Sequence, residues 1–321
     1  MQSGTSNQAL SVSNLKKTYS NGRIALKGVS FSVEEGDFYA LLGRNGAGKS
    51  TTIGITCSLV TKSSGKVYIF GIDIDQDFSR AKSNIGLVPQ EINFNQFETP
   101  WNIVINHAGY YGVPRAKALL QAEKYLTTLN LWDYRNNTAR RLSGGMKRKL
   151  MIARALMHEP RLLILDEPTA GIDFETRLSM WEFLQDLNQK GVTIILTTHY
   201  LQEAEKLCRN VGIIELGELI LDSDMKSLFK RLNQETYVLD LVQPIDSQVL
   251  PHELNDSVRL VDPTTVEVDI ARNSSINAVF ETLSKHDIHA ISIQTKSNRL
   301  ETLFMELLRR EAIEMQANQS E

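Results

Sequence analysis

Hydrophobic and polar positions along this chain change their period several times, and each change predicts an element. Residues 10–15 and 24–33 alternate, and the turn Ser20-Asn21-Gly22 between them predicts an antiparallel strand pair. After the turn Glu34-Glu35-Gly36-Asp37, the unbroken apolar run Phe38-Tyr39-Ala40-Leu41-Leu42 reads as a short buried strand. Residues 49–60 then predict a helix, and residues 67–70 and 85–88 two further strands. From Thr99 to Arg141 the texture is helical, with helices over 101–111 and 115–129 on either side of Gly112-Val113-Pro114. A basic amphipathic helix follows the Ser-Gly-Gly turn at 143–145. Strand and helix then alternate: strand from Leu162, helix 174–189, strand 192–196, helix 201–208, and a strand pair at 211–215 and 218–221. This alternation predicts an α/β fold, with helices on both faces of a parallel or mixed sheet and residues 99–160 as a helical insertion.

Beyond Asp222 a short helix, 225–232, leads into a smaller α+β pattern. Strands are expected at 237–241, 265–270 and 289–294, with a helix at 276–284, a last helix at 300–312 and a frayed end from Gln316. Charge supports the division. Residues 235–321 hold 15 Asp+Glu against 7 Lys+Arg, so the acidic excess lies there although the whole chain of 321 residues carries only −3. Two domains are therefore expected, 1–234 with a helical subdomain at about 92–160, and an acidic accessory domain at 235–321.

Composition narrows the class. With 42% hydrophobic and 23% charged residues, the chain has an ordinary globular balance. No apolar run approaches the ~18 residues of a membrane span, and the N-terminus lacks a signal-peptide layout, so a cytoplasmic location is expected. Cys57 and Cys208 are too few and too far apart for a disulfide framework or a zinc site, and are expected as reduced thiols. The charge split argues against a basic nucleic-acid-binding tail, though not against a basic patch elsewhere, and no nucleic acid is expected as a partner.

The chemistry is carried by strand ends. Gly43-Arg44-Asn45-Gly46-Ala47-Gly48-Lys49-Ser50 fits G-x-x-x-x-G-K-[ST] between a buried strand and a helix. Its N–H groups suit phosphate oxygens, Lys49 the β- and γ-phosphates, and the Ser50 hydroxyl Mg²⁺. The strand 162–165 ends in Asp166-Glu167. Asp166 is placed to hold the metal directly or through water, and Glu167 to polarise a water for in-line attack. His199 follows another apolar strand, and parallel-sheet logic brings it to the same edge as a γ-phosphate sensor. Gln90, ending the strand at 85–88 with Pro89, suits Mg²⁺ or the attacking water. Tyr19 either stacks on adenine or packs in a hydrophobic cluster. The other histidines, at 107, 158, 252, 286 and 289, read as surface or core residues.

In this order, Tyr19, the phosphate loop 43–50, Gln90, Leu142-Ser143-Gly144-Gly145, residues 162–167, Ala170-Gly171-Ile172-Asp173 and His199 resemble the ATP-binding subunits of ABC transporters over residues 10–234. Asn45 to Thr52, Gly144 to Lys149, Glu167 to Asp173 and the end Asn298 to Phe304 resemble the ABC-2-type exporter branch. Residues 37–43 and 155–160 are similar to the YadG-type ATPases of gram-negative bacteria.

The resemblance implies an ABC-type P-loop ATPase with a RecA-like core, an antiparallel β subdomain and a helical signature subdomain. It implies a head-to-tail homodimer sandwiching two ATP with Mg²⁺, each site joining one loop, with Thr51 beside it, to the partner's Ser143, Gly144 and Gly145. It also implies a separate integral-membrane permease of ABC-2 type and a place at the cytoplasmic face of the membrane. A soluble ABC-type ATPase acting on ribosomes or DNA is the rival. Met146 and Arg44 depart from the usual Gln and Pro of the family's motifs, and Lys147-Arg148-Lys149 are expected as a solvated helix face.

Overall fold

A computed structural model describes residues 7–230, 234–246, 258–271 and 275–295. The chain divides into two compact units, Met1–Met225 and Lys226–Glu321. In the first, β1 (Gln8–Thr18) and β2 (Ile24–Glu34) form the expected hairpin, and β3 (Phe38–Leu42) follows. Next come α1 (Lys49–Thr56), β4 (Ser64–Ile69), β5 (Ile72–Asp73), α2 (Phe78–Lys82) and β6 (Ile85–Val88). The helical insertion is α3 (Pro100–Tyr110), α4 (Arg115–Thr128) and α5 (Gly144–Ala155). β7 (Leu162–Asp166), α6 (Phe174–Gln189), β8 (Thr193–Thr198), α7 (Leu201–Leu207), β9 (Asn210–Glu215) and β10 (Glu218–Asp224) complete the unit.

Two sheets share one core. The antiparallel sheet has the order β2-β1-β4-β5, and the main sheet β10-β9-β3-β8-β7-β6 is parallel from β9 to β6. Every residue of β3, β7 and β8 is buried, as expected for strands covered on both faces. Leu10, Val12, Leu26 and Phe31 of the hairpin meet Ile53 and Ile55 of α1 and Leu41, Ile164 and Ile195 of the main sheet in a single cluster. This wedges α1, and the loop that begins it, between the two sheets.

Local chemistry sets the helix starts. Ser143 caps α5 by accepting from the Met146 N–H at 3.2 Å, and Asp173 caps α6 by accepting from Thr176 at 2.8 Å. Each such cap is worth about 1 kcal/mol. Helix α1 stops four residues before the expected end. The Leu59 and Val60 N–H groups fold back onto the Gly54 carbonyl at 2.7 and 3.0 Å. Gly54 permits this close return, because a Cβ there would lie 2.8 Å from Val60 Cγ2.

In the second unit, α8 (Met225–Lys230) precedes β11 (Gln234–Leu241), β12 (Val258–Asp262), β13 (Thr265–Ala271), α9 (Ile276–Lys285) and β14 (Ala290–Thr295). The sheet order is β12-β13-β11-β14, antiparallel throughout, and Leu239, Val266, Val268, Val279 and Leu283 form its core. β12 was not expected, although Val258 and Leu260 alternate with polar Arg259. The expected helix at 300–312 and the frayed end lie outside the described residues.

Candidate active site

Register places the site. Across the main sheet Leu42 lies beside Thr198, Thr197 beside Asp166, and Leu165 beside Val88. Four strands thus end level with one another. Gly43, His199, Glu167 and Pro89-Gln90 leave from the same carboxyl edge, where ligands of such sheets bind.

The phosphate loop is shaped by close packing. A Cβ on Gly43 would sit 2.2 Å from the Ile214 carbonyl oxygen, so only glycine lets the loop leave β3 against β9. Gly48 adopts φ +121° and would place a Cβ 2.8 Å from Leu26 Cδ2. Arg44, Asn45, Gly46 and Ser50 are exposed, while Ala47 is buried. Lys49 is buried and folds over the loop, donating to the Gly43 and Arg44 carbonyls at 2.8 and 3.2 Å. Burial lowers its pKa, and the carboxylates of Glu167, Asp166 and Glu215 work against that shift. An ammonium near three carboxylates, and donating to carbonyls alone among the described residues, is suited to an incoming polyanion.

At the end of β7 the two carboxylates diverge. Asp166 turns toward the loop, accepting from Thr197 Oγ1 at 2.5 Å and from Ser50 Oγ at 3.4 Å. Glu167 turns toward the other strand ends. His199 Nδ1 lies 3.1 Å and Gln90 Nε2 3.3 Å from its Oε2. Its backbone stands at φ +47°, uncommon away from glycine, and its N–H is held by the Thr197 carbonyl at 3.0 Å and hydroxyl at 3.1 Å. The neighbouring strand over-determines this conformation, the usual condition for strain at a working site.

Tyr19 is half-buried and tied to the residue after the loop, its hydroxyl 3.3 Å from Thr51 Oγ1, with Lys17 Nζ 4.9 Å from the centre of its ring. Ser143, Gly144 and Gly145 stand apart from this cluster. Ser143 and Gly144 are exposed, and Gly145 packs where a Cβ would meet Thr176 Cγ2 at 2.7 Å. No hydrogen bond joins them to loop 43–50 among the described residues.

Arg148 corrects the expected solvated face. It is 7% exposed, donating from Nη1 to the Pro89 carbonyl at 2.7 Å and from Nη2 to the Gln90 carbonyl at 2.6 Å. Burial lowers its pKa, offset by Asp166 and Glu167. Lys147 reaches Gln96 Oε1 at 3.2 Å. Nearly two turns on, Arg154 holds the Asn93 side chain at 2.5 Å. The helix after the Ser-Gly-Gly turn therefore grips the loop that follows Gln90. The signal lay in spacing, since Arg148 shares a helix face with Gly145 and Ile152.

Below this loop is a cleft of about 200 Å³ lined by Cys57, Leu87, Pro89, Asn93, His107 and Arg154, among others. His107 and His158 are half-buried here, with the His158 ring stacked on Tyr111 at 3.7 Å. Burial, with Arg154 and His158 beside it, pushes the His107 pKa down to about 4. Cys57 and Cys208 are free and buried.

A family model described as ABC transporter matches residues 26–170. The linearmycin resistance ATP-binding protein LnrL of Bacillus subtilis is 35% identical over 305 residues, covering 93% of this chain and 97% of that protein. Nod factor export ATP-binding protein I of Rhizobium etli is 36% identical over 225 residues, 70% of this chain and 71% of its own length. Among solved structures, cbiO1 of Clostridium perfringens, part of the ABC transporter complex cbiONQ, matches with TM-score 0.63 and 30% identity over 70% of this chain and 92% of that one. The dimeric post-hydrolysis state of the ATP-binding cassette MJ0796 with ADP and Pi matches at TM-score 0.62 and 27% identity, over 67% and 98%. The fold and site define an ATP-binding cassette. This chain belongs to the ABC transporter family as an ATP-binding ATPase subunit, which implies dimerisation and a membrane permease as partner. Its likeness to LnrL runs beyond the first unit into the second, since 305 residues exceed the first unit's length.

Proposed function

We propose that this chain hydrolyses ATP as a homodimer to drive export through a separate ABC-2-type permease, from a peripheral position on the cytoplasmic face of the membrane. The carrying observation is Glu167, fixed at a strand end with His199 and Gln90 within 3.3 Å of its carboxylate. The names of the relatives, for linearmycin resistance and Nod factor export, support export over action on ribosomes or DNA. Among the described residues no helix is long and apolar enough to cross a membrane, so the reading needs a permease partner.

Loop 43–50 and Lys49 bind the phosphates, and Tyr19 and Thr51 border the base side of the site. Asp166, Ser50 and Gln90 offer oxygens to Mg²⁺. Asp166 and Ser50 lie 3.4 Å apart, and among the described residues no cluster of three or more His, Cys, Asp or Glu competes as a cage. Mg²⁺ fits such a site, since it is held by one or two carboxylates with the substrate's phosphates. It would neutralise phosphate charge there. Glu167 orients and polarises the attacking water, with His199 at the γ-phosphate. Ser143 and Gly144, exposed at the start of α5, with Gly145 packed behind them, complete the partner's nucleotide site through helix-terminal N–H groups. The nucleotide-binding part spans 1–234 and the acidic part 235–321 is accessory. The cleft beside Pro89 and Asn93, with Phe97 74% exposed near it in sequence, offers the permease a seat.

The test is Glu167→Gln. Steady-state hydrolysis should fall at least about 100-fold while an ATP-dependent dimer accumulates in size-exclusion chromatography. Turnover at the wild-type rate would exclude Glu167 as the base.

A further inference from the structure

Behind the strand ends lies a buried carboxylate that the mechanism above does not use. Glu203, in the first turn of α7, is 0% exposed. Its Oε1 accepts from Trp181 Nε1 of α6 at 2.9 Å. Its Oε2 is buried with no hydrogen-bond partner among the described residues, and the same holds for the Thr169 hydroxyl. The Thr198 and Thr169 hydroxyls both face this carboxylate, with Arg177 close by. Thr198 Oγ1 also accepts from the Tyr200 N–H at 2.9 Å, and Arg177 lies 5.0 Å from the centre of the Tyr200 ring. Burial raises the Glu203 pKa, with Thr198, Trp181, Thr169 and Arg177 opposing the shift.

Position in the chain gives these contacts meaning. Thr169 is two residues after Glu167, in the loop running to Asp173. Thr198 and Tyr200 flank His199. Trp181 and Arg177 belong to the helix that the same loop feeds. Glu203 is therefore the side chain where the loop carrying the candidate base, the loop carrying the histidine and helix α6 meet. A buried acceptor and a buried donor that stand near each other without a well-formed hydrogen bond cost about 1–3 kcal/mol each, a cost recovered if they close to full bonding geometry.

We propose that Glu203 is a positioning residue that locks the 167–173 loop to the His199 loop, and that Thr169 Oγ1 closes onto Glu203 Oε2 when nucleotide is bound. The proposal rests on the ATPase reading above. It adds a second tier beneath Glu167 and His199 through which a shift in one loop is felt by the other.

The test uses the full chain bearing Glu203→Gln, Thr169→Val, or both. Gln keeps the shape and the acceptor for Trp181 but turns the open oxygen into a donor, and Val keeps the outline of Thr169. Each single change should lower kcat about ten-fold with KM for ATP within about two-fold, and the pair should fall no further than the worse single variant. A second readout is Trp181 fluorescence in a Trp101→Phe/Trp132→Phe background. MgATP should shift its emission, and Thr169→Val should remove the shift. Unchanged kcat in both single variants, losses that multiply in the pair, or activity losses that merely track a lowered melting temperature would each overturn the assignment. Nucleotide binding without hydrolysis by the wild type would refute the ATPase reading instead, and the fluorescence shift would still decide the role of Glu203.

Discussion

Replacing Arg148 by Met should break the link between the signature helix and the Gln90 loop. The guanidinium is almost wholly buried and makes two charge-assisted bonds, at 2.7 and 2.6 Å, to consecutive carbonyls. Each such bond contributes about 1.5–3 kcal/mol, so the gross loss is about 3–6 kcal/mol. Burying the cation itself costs several kcal/mol, which the apolar replacement recovers in part. The exposed Gln90 can rehydrate, whereas the half-buried Pro89 carbonyl does so less easily. The net destabilisation should then be about 2–4 kcal/mol, read from the urea unfolding midpoint at constant m. Arg148→Lys keeps the charge but cannot bridge two carbonyls in one plane, and should lose about half as much. A domain of ordinary stability stays folded after such a loss, so hydrolysis reports position rather than unfolding. The kcat of Arg148→Met should drop about ten-fold or more, because Gln90 then loses its register on Glu167. An unchanged midpoint together with an unchanged kcat would refute the argument.

Two further outcomes test the same scaffold. Gly43→Ala sets a Cβ 2.2 Å from the Ile214 carbonyl oxygen, a backbone atom that moves only if β3 and β9 separate. It should cost about 3 kcal/mol in equilibrium unfolding and abolish ATP binding measured by calorimetry. His107 has a folded-state pKa near 4, below the ordinary value of about 6.5. The unfolded chain therefore binds more protons between these values, so stability is full above about pH 6.5 and is lost as pH falls toward 4. Between pH 7 and 5 the loss should reach up to about 2 kcal/mol, seen as a falling melting temperature. His107→Phe should flatten that slope.

Legibility in the sequence followed the range of the interactions. Most strands and helices of the first unit were readable because each repeats a local period or forms a short unbroken apolar run. The phosphate loop was readable because its glycines, Lys49 and Ser50 serve one ligand within eight consecutive residues. Even the meeting of Gln90, Asp166, Glu167 and His199 was foreseeable, since parallel strands must end at a common edge. Arg148 was misread as solvated because its partners, the Pro89 and Gln90 carbonyls, lie 59 and 58 residues away. Short helix α2 and strand β5 were missed because two to five residues carry too little periodicity.

The sequence by itself determined the class of protein, the order of its elements and the residues at each strand end, because these depend on local pattern and on sheet topology. Only the tertiary structure decided which polar groups are buried and what they hold. Arg148 bracing the Gln90 loop, Thr197 supporting both Asp166 and Glu167, and Glu203 beneath Thr169 and Thr198 all depend on distant segments meeting out of water. A polar side chain shows the same letter whether it faces solvent or the core; its partners are set by packing.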